Sequence, residues 1–154
     1  MKDKLEVLVL VAKELNKRNI KWVLGASCML YLRSIVSTFT DIDILFLEDS
    51  YDQVKEVMDH HGIRINTDEN NLFKTKKFLE YHIQGVDLDL MAGLAIVNNT
   101  KEYYFPLAKD AQSDMVLIDH TEIYLDSIEN WLYYYQLMNR LDKVKLILDS
   151  KNNT

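Results

Sequence analysis

Asp41 and Asp43 sit one residue apart in the apolar run T-D-I-D-I-L-F-L, and V-D-L-D-L-M repeats the pattern at Asp87 and Asp89. A β-strand sends alternate side chains to one face. Each carboxylate pair therefore points one way, while Ile42 and Ile44 point the other, into a core. Carboxylates forced together repel and are hard to desolvate, and a bridging cation relieves both costs. Two such strands side by side would gather at least three carboxylates on one face. That donor set suits Mg²⁺, which takes oxygen ligands and is usually shared between a few carboxylates and a substrate phosphate. Two ions about 4 Å apart can clamp the attacking and leaving oxygens of an in-line phosphoryl displacement.

A phosphate would need a grip, and the run W-V-L ends in one at Gly25-Ala26-Ser27. Gly25 allows close backbone approach, and the start of the following helix offers free N–H groups to an anion. The Ser27 hydroxyl can donate one further hydrogen bond. Each piece has a plainer reading on its own: a solvated strand end, the polar face of a half-exposed strand, an ordinary strand-to-helix connection. Their combination favours the metal reading. A calcium loop does not fit D-I-D-I-L-F, because Leu45 stands where an oxygen ligand is needed and no glycine follows at the sixth position.

The elements that must position these residues follow from hydrophobic period. Leu5, Leu8, Val9, Ala12 and Leu15 predict a helix over 3–18, closed by Asn19. Residues 21–24 read as a short strand, 27–34 as a buried helix, and 41–47 as a second strand. Residues 50–61 read as a helix ending at Gly62, with 63–65 as a strand. From Phe73 the period changes to two. Strands over 78–84 and 86–91 flank Gly85 as a hairpin, with shorter strands over 94–97, 103–107, 115–118 and 122–125. Asp126 with Glu129 suggests a helix cap, leading into helices over 127–138 and 142–149. The expected fold is α/β (α+β): a mixed sheet with flanking helices and a short C-terminal helical segment.

The 154 residues suit a single domain, with the helices of about 127–149 packed on it, and an apolar fraction of 48% supplies a real core. A net charge of −6 argues against a nucleic-acid backbone as the main partner. No apolar stretch is long enough to span a bilayer. The one cysteine, Cys28, precludes an internal disulfide framework and fits a reducing cytoplasm; it reads as a small buried hydrophobe. His60 and His61 read as helix C-terminal residues and His82 as a structural strand histidine. Trp131 and Tyr133–Tyr135 read as a cover over the sheet. Arg140, Lys143 and Lys145 read as a solvated face, with phosphate or acceptor contact as the alternative, and the tail K-N-N-T as frayed.

W-V-L-G-A-S, D-I-D-I-L-F and G-V-D-L-D-L-M, in that order, resemble the nucleotidyltransferase superfamily related to DNA polymerase β. The stretch E-N-W-L-Y-Y-Y-Q-L-M-N-R-L-D-K-V-K-L-I is similar to the helical end of its small bacterial members. The resemblance runs from about residue 20 to about residue 148. It implies Mg²⁺-dependent (or Mn²⁺-dependent) transfer of a nucleoside monophosphate from an NTP, ATP above all, to a hydroxyl of an acceptor. By position it implies Gly25 and Ser27 in the phosphate turn, Asp41 and Asp43 as the metal pair, and a third carboxylate that helps deprotonate the acceptor. Asp89 is favoured for that role because it directly precedes Leu-Met; Asp87 shares its face and remains the alternative. Small bacterial relatives adenylylate antibiotics such as lincosamides and aminoglycosides, and the acidic charge suits a cationic acceptor. Two departures stand out. Ala26 replaces a small polar residue or glycine. S-T-F-T precedes the metal pair without a basic residue, which leaves Arg33, Lys76 or Lys77 to neutralise phosphate. The other reading is a catalytically weak binding or regulatory module, such as a toxin partner.

Overall fold

The computed structural model describes residues 1–65 and 75–152. Phe73, where the period of two begins, and the last two residues of the tail lie outside them.

The chain opens with α1 (Lys2–Lys17), β1 (Trp22–Gly25) and α2 (Ala26–Leu32). β2 (Ile42–Phe46), α3 (Tyr51–His61) and β3 (Ile63–Arg64) follow. The strand-rich middle holds β4 (Lys77–Ile83), β5 (Val86–Ala92), β6 (Leu94–Asn98), β7 (Lys101–Phe105), β8 (Asp114–Ile118) and β9 (Thr121–Leu125). α4 (Ile128–Leu137) and α5 (Leu141–Asn152) close the described chain, so helix continues through Lys151 and Asn152. Seven strands form one sheet in the order β3-β4-β5-β2-β1-β9-β8, and β6 pairs β7 in a separate ribbon. The sheet is mixed. β2 runs parallel to β5 and β1 parallel to β9, whereas β1 and β2 are antiparallel. Both parallel pairings join segments distant in sequence, which no local pattern announces.

Local chemistry explains the elements. In α1, Leu8, Val11, Ala12 and Leu15 are fully buried at helical spacing against the sheet. Asn19 ends it in the left-handed region, φ 57°, its N–H donating to Asn16 O at 3.0 Å, a conformation asparagine tolerates better than most residues. The hairpins β4–β5, β6–β7 and β8–β9 turn on two-residue loops, Gln84-Gly85, Asn99-Thr100 and Asp119-His120, with positive φ at both positions. That backbone matches the natural twist of paired strands.

β2 and β5 lie at the middle of the sheet. Ile42, Ile44, Leu88 and Leu90 are fully buried on the inner face. The two isoleucines alone contribute roughly 3–6 kcal/mol, which holds a central strand in place although its other face carries acids.

Candidate active site

The four aspartates meet at one end of the sheet. Asp43 on β2 lies opposite Asp89 on the parallel neighbour β5, and Gly25 on β1 lies opposite Asp43 on its other side. Glu80 on β4 continues the row opposite Asp89. One row across four strands thus reads Gly25, Asp43, Asp89, Glu80. Asp41 precedes β2, and the charge of Asp87 acts on it. The Gly25-Ala26-Ser27 turn and both acid pairs singled out in the sequence therefore converge.

The electrostatics show what that convergence costs. Burial, then the charges of Asp89 and Asp41, and then a hydrogen bond shared with Asp89 hold the Asp43 carboxyl well above the usual range. Asp89 is pushed up to about 7, first by burial and then by Glu80, Asp41 and Asp87. Asp41 is raised by burial and by Asp87, with Lys4 opposing. Glu80 is raised by burial, Asp87 and Asp41. A hydrogen bond joins the Asp43 and Asp89 carboxyl groups. Among the described residues no three His, Cys, Asp or Glu side chains form a finished metal cage. The all-oxygen donor set still fits a hard divalent ion, since Mg²⁺ completes its shell with phosphate oxygens and water.

The turn is built differently. Gly25 is extended, not left-handed. What it must lack is a Cβ, which would stand 2.3 Å from the Trp131 ring. The need for glycine thus comes from close packing against α4. Ala26 carries the unusual backbone instead, at φ 52°, which costs an alanine roughly 1–2 kcal/mol. Ser27 opens the short α2; its Oγ accepts from Lys143 Nζ at 3.0 Å and shares a hydrogen bond with the Tyr135 hydroxyl. The Tyr135 phenol is raised by burial and by Asp43 nearby.

Several residues take other places than the sequence suggested. Lys143 is no solvated-face residue, because α5 brings it back over the turn. Arg33 pairs with Asp114 at 2.9 Å and donates to Asp126 O at 2.7 Å, so it ties α2 to β8 and β9. Lys76 and Lys77 stack over Tyr104 and Tyr51. Among the described residues, Lys4 acts on Asp41 and Lys143 reaches Ser27. Ser127, not Asp126, caps α4, accepting from Asn130 N at 3.0 Å. Asp126 is buried and turned inward. Glu80 joins the row although no sequence motif marks it; its one signal is alternation with Phe78 and His82 on one face of β4. His82 pairs with Asp87 at 2.7 Å. Trp131 and Tyr135, four apart on one helix face, do cover the sheet, but over the turn itself. Cys28 is buried, with its thiol pushed up first by burial and then by Asp43.

The fold recurs in solved structures. A Thermotoga maritima protein provisionally described as a nucleotidyltransferase shares 17% identity over 100% of this chain and 96% of its own, with a TM-score of 0.76. ANT(2'')-Ia, in complex with adenylyl-2''-tobramycin, shares 14% identity over 96% of this chain and 89% of its own, with a TM-score of 0.62. The lincosamide antibiotic adenylyltransferase LnuA, bound to lincomycin, shares 14% over 96% and 95%, with a TM-score of 0.60. At these identities the likeness establishes the nucleotidyltransferase fold. No curated protein sequence matches the chain. Residues 7–136 match the family model of aminoglycoside-2''-adenylyltransferase, a span that contains the turn and all four aspartates. With the acid row and the turn facing one another inside that span, the chain belongs to the aminoglycoside-2''-adenylyltransferase family and is an enzyme of the nucleotidyltransferase type.

Proposed function

We propose that this chain, acting as a single domain, transfers a nucleoside monophosphate from an NTP, with ATP as the donor, to a hydroxyl of a small-molecule acceptor in the presence of Mg²⁺ or Mn²⁺. The observation that carries this reading is the pairing of Asp43 with Asp89 across parallel strands, with Gly25 in the same row.

Asp41 and Asp43 would hold the divalent ion, with Asp89, or Asp87 beside it, completing the carboxylate set. When bound, the ion neutralises charge that develops on the phosphoryl oxygens. Gly25 and Ser27 cradle the triphosphate, and Lys143, already hydrogen-bonded to Ser27, supplies a positive charge there. The acceptor oxygen attacks the α-phosphorus and the bond to the bridging oxygen breaks, so pyrophosphate departs. The hydroxyl proton passes to Asp89. That carboxyl sits at about 7 without an ion; a divalent cation beside it would lower the value and keep it ionised, ready to accept the proton.

For the acceptor we favour a polycationic sugar of the aminoglycoside class. Family membership supports this, as do a net charge of −6 and the acidic row, which Glu80 extends beyond Asp43 and Asp89. Calorimetry with a nonhydrolysable ATP analogue tests the core of the proposal. The native chain should bind it only with Mg²⁺ or Mn²⁺ present, and Asp43→Asn should abolish that binding. Unchanged binding by the variant refutes the metal assignment.

A further inference from the structure

Asp126 is a buried carboxylate with both oxygens engaged. Its Oδ1 accepts from Ser127 N at 2.9 Å and Asn130 Nδ2 at 3.0 Å, and its Oδ2 accepts from Trp131 Nε1 at 3.0 Å. Its own N–H donates to Leu24 O at 2.9 Å, and its carbonyl accepts from Arg33 at 2.7 Å. These partners surround the turn. Leu24 immediately precedes it, Arg33 follows the helix it opens, and Trp131 fills the space that a Cβ of Gly25 would occupy. The indole also packs on Tyr135, ring centroids 5.5 Å apart, and Tyr135 reaches Ser27.

We propose that Asp126 and Trp131 form a positioning pair that fixes the Gly25-Ala26-Ser27 backbone in its nucleotide-binding shape. The proposal rests on the reading of that turn as the triphosphate grip. A left-handed alanine persists only where its surroundings over-determine it, and here a buried carboxylate sets the ring that presses on the preceding glycine. Nothing in the pair touches substrate; it acts through the turn.

The test compares Trp131→Phe, Asp126→Ala and Asp126→Asn in the full chain. The affinity for a nonhydrolysable ATP analogue with Mn²⁺ should fall about tenfold in the first two variants, since small misplacements of binding groups carry penalties of this order or more. Asp126→Asn keeps an oxygen acceptor for the indole N–H but turns its amide N–H2 toward the Ser127 and Asn130 donors, so its affinity should fall less than that of Asp126→Ala. Binding of Mn²⁺ alone, followed by water relaxation, should be unchanged in all three, whereas general loosening would weaken ion and nucleotide together. In a Trp22→Phe background Trp131 is the only indole, and its emission should change on nucleotide binding with the calorimetric midpoint. Native nucleotide affinity in folded Trp131→Phe, or parallel loss of ion and nucleotide binding, overturns the proposal. If Trp131→Phe does not fold, an unresponsive emission overturns it. If the native chain binds no nucleotide at all, the function of the turn fails and the proposal falls with it, a result distinct from the others.

Discussion

Two regions meet at one end of the sheet and are built on opposite plans. The acid row on β2, β5 and β4 crowds like charges into a half-buried space, and every shifted carboxyl in it is shifted upward. The turn between β1 and α2 is held by satisfied hydrogen bonds and aromatic packing from α4 and α5. The first region gives up stability in the absence of a counter-ion. The second spends packing on a fixed shape. The difference is that crowded like charge shapes one half, whereas packing and hydrogen bonds shape the other.

The largest test falls on the acid row. Asp89→Asn should lower turnover by about 10²–10⁴-fold if Asp89 takes the acceptor proton. The same change should stabilise the cation-free protein. A carboxyl whose folded pKa is raised contributes its full stability below the unfolded value and loses it as pH rises through the folded one. For Asp89 that window runs from 3.8 to about 7. Cation-free native protein should therefore melt lower at pH 8 than at pH 5, and Asp89→Asn should recover about 1–2 kcal/mol at pH 8, allowing for its partial exposure. A melting temperature indifferent to pH, or lowered by the variant at pH 8, would erase the contrast between the halves.

A smaller effect falls on the turn. Lys143→Ala should raise the KM for NTP about tenfold, the loss of one charge-assisted contact, with little change in melting temperature. An unaltered KM would return Lys143 to an ordinary surface role. The smallest effect is at Ala26. Ala26→Gly removes the left-handed penalty but adds chain entropy, so stability should rise by no more than about 1 kcal/mol. Nucleotide affinity should hold within about twofold, because packing rather than the alanine fixes the turn; a large loss on calorimetry would assign that task to Ala26 itself.

The elements and their faces were legible from local pattern alone. A period of two placed Asp41, Asp43, Asp87 and Asp89 on polar faces with Ile42, Ile44, Leu88 and Leu90 behind them, because strand alternation is a local property of the backbone. Helical spacing likewise marked α1 and α3, and Gly85 marked the β4–β5 hairpin. Which strands lie side by side was left to the folded chain, since hydrogen bonding between β2 and β5 depends on how the intervening chain crosses over. That pairing set Asp43 against Asp89 and added Glu80. It also returned Lys143 to Ser27 and set Trp131 on Gly25, contacts across more than a hundred residues that local spacing does not encode.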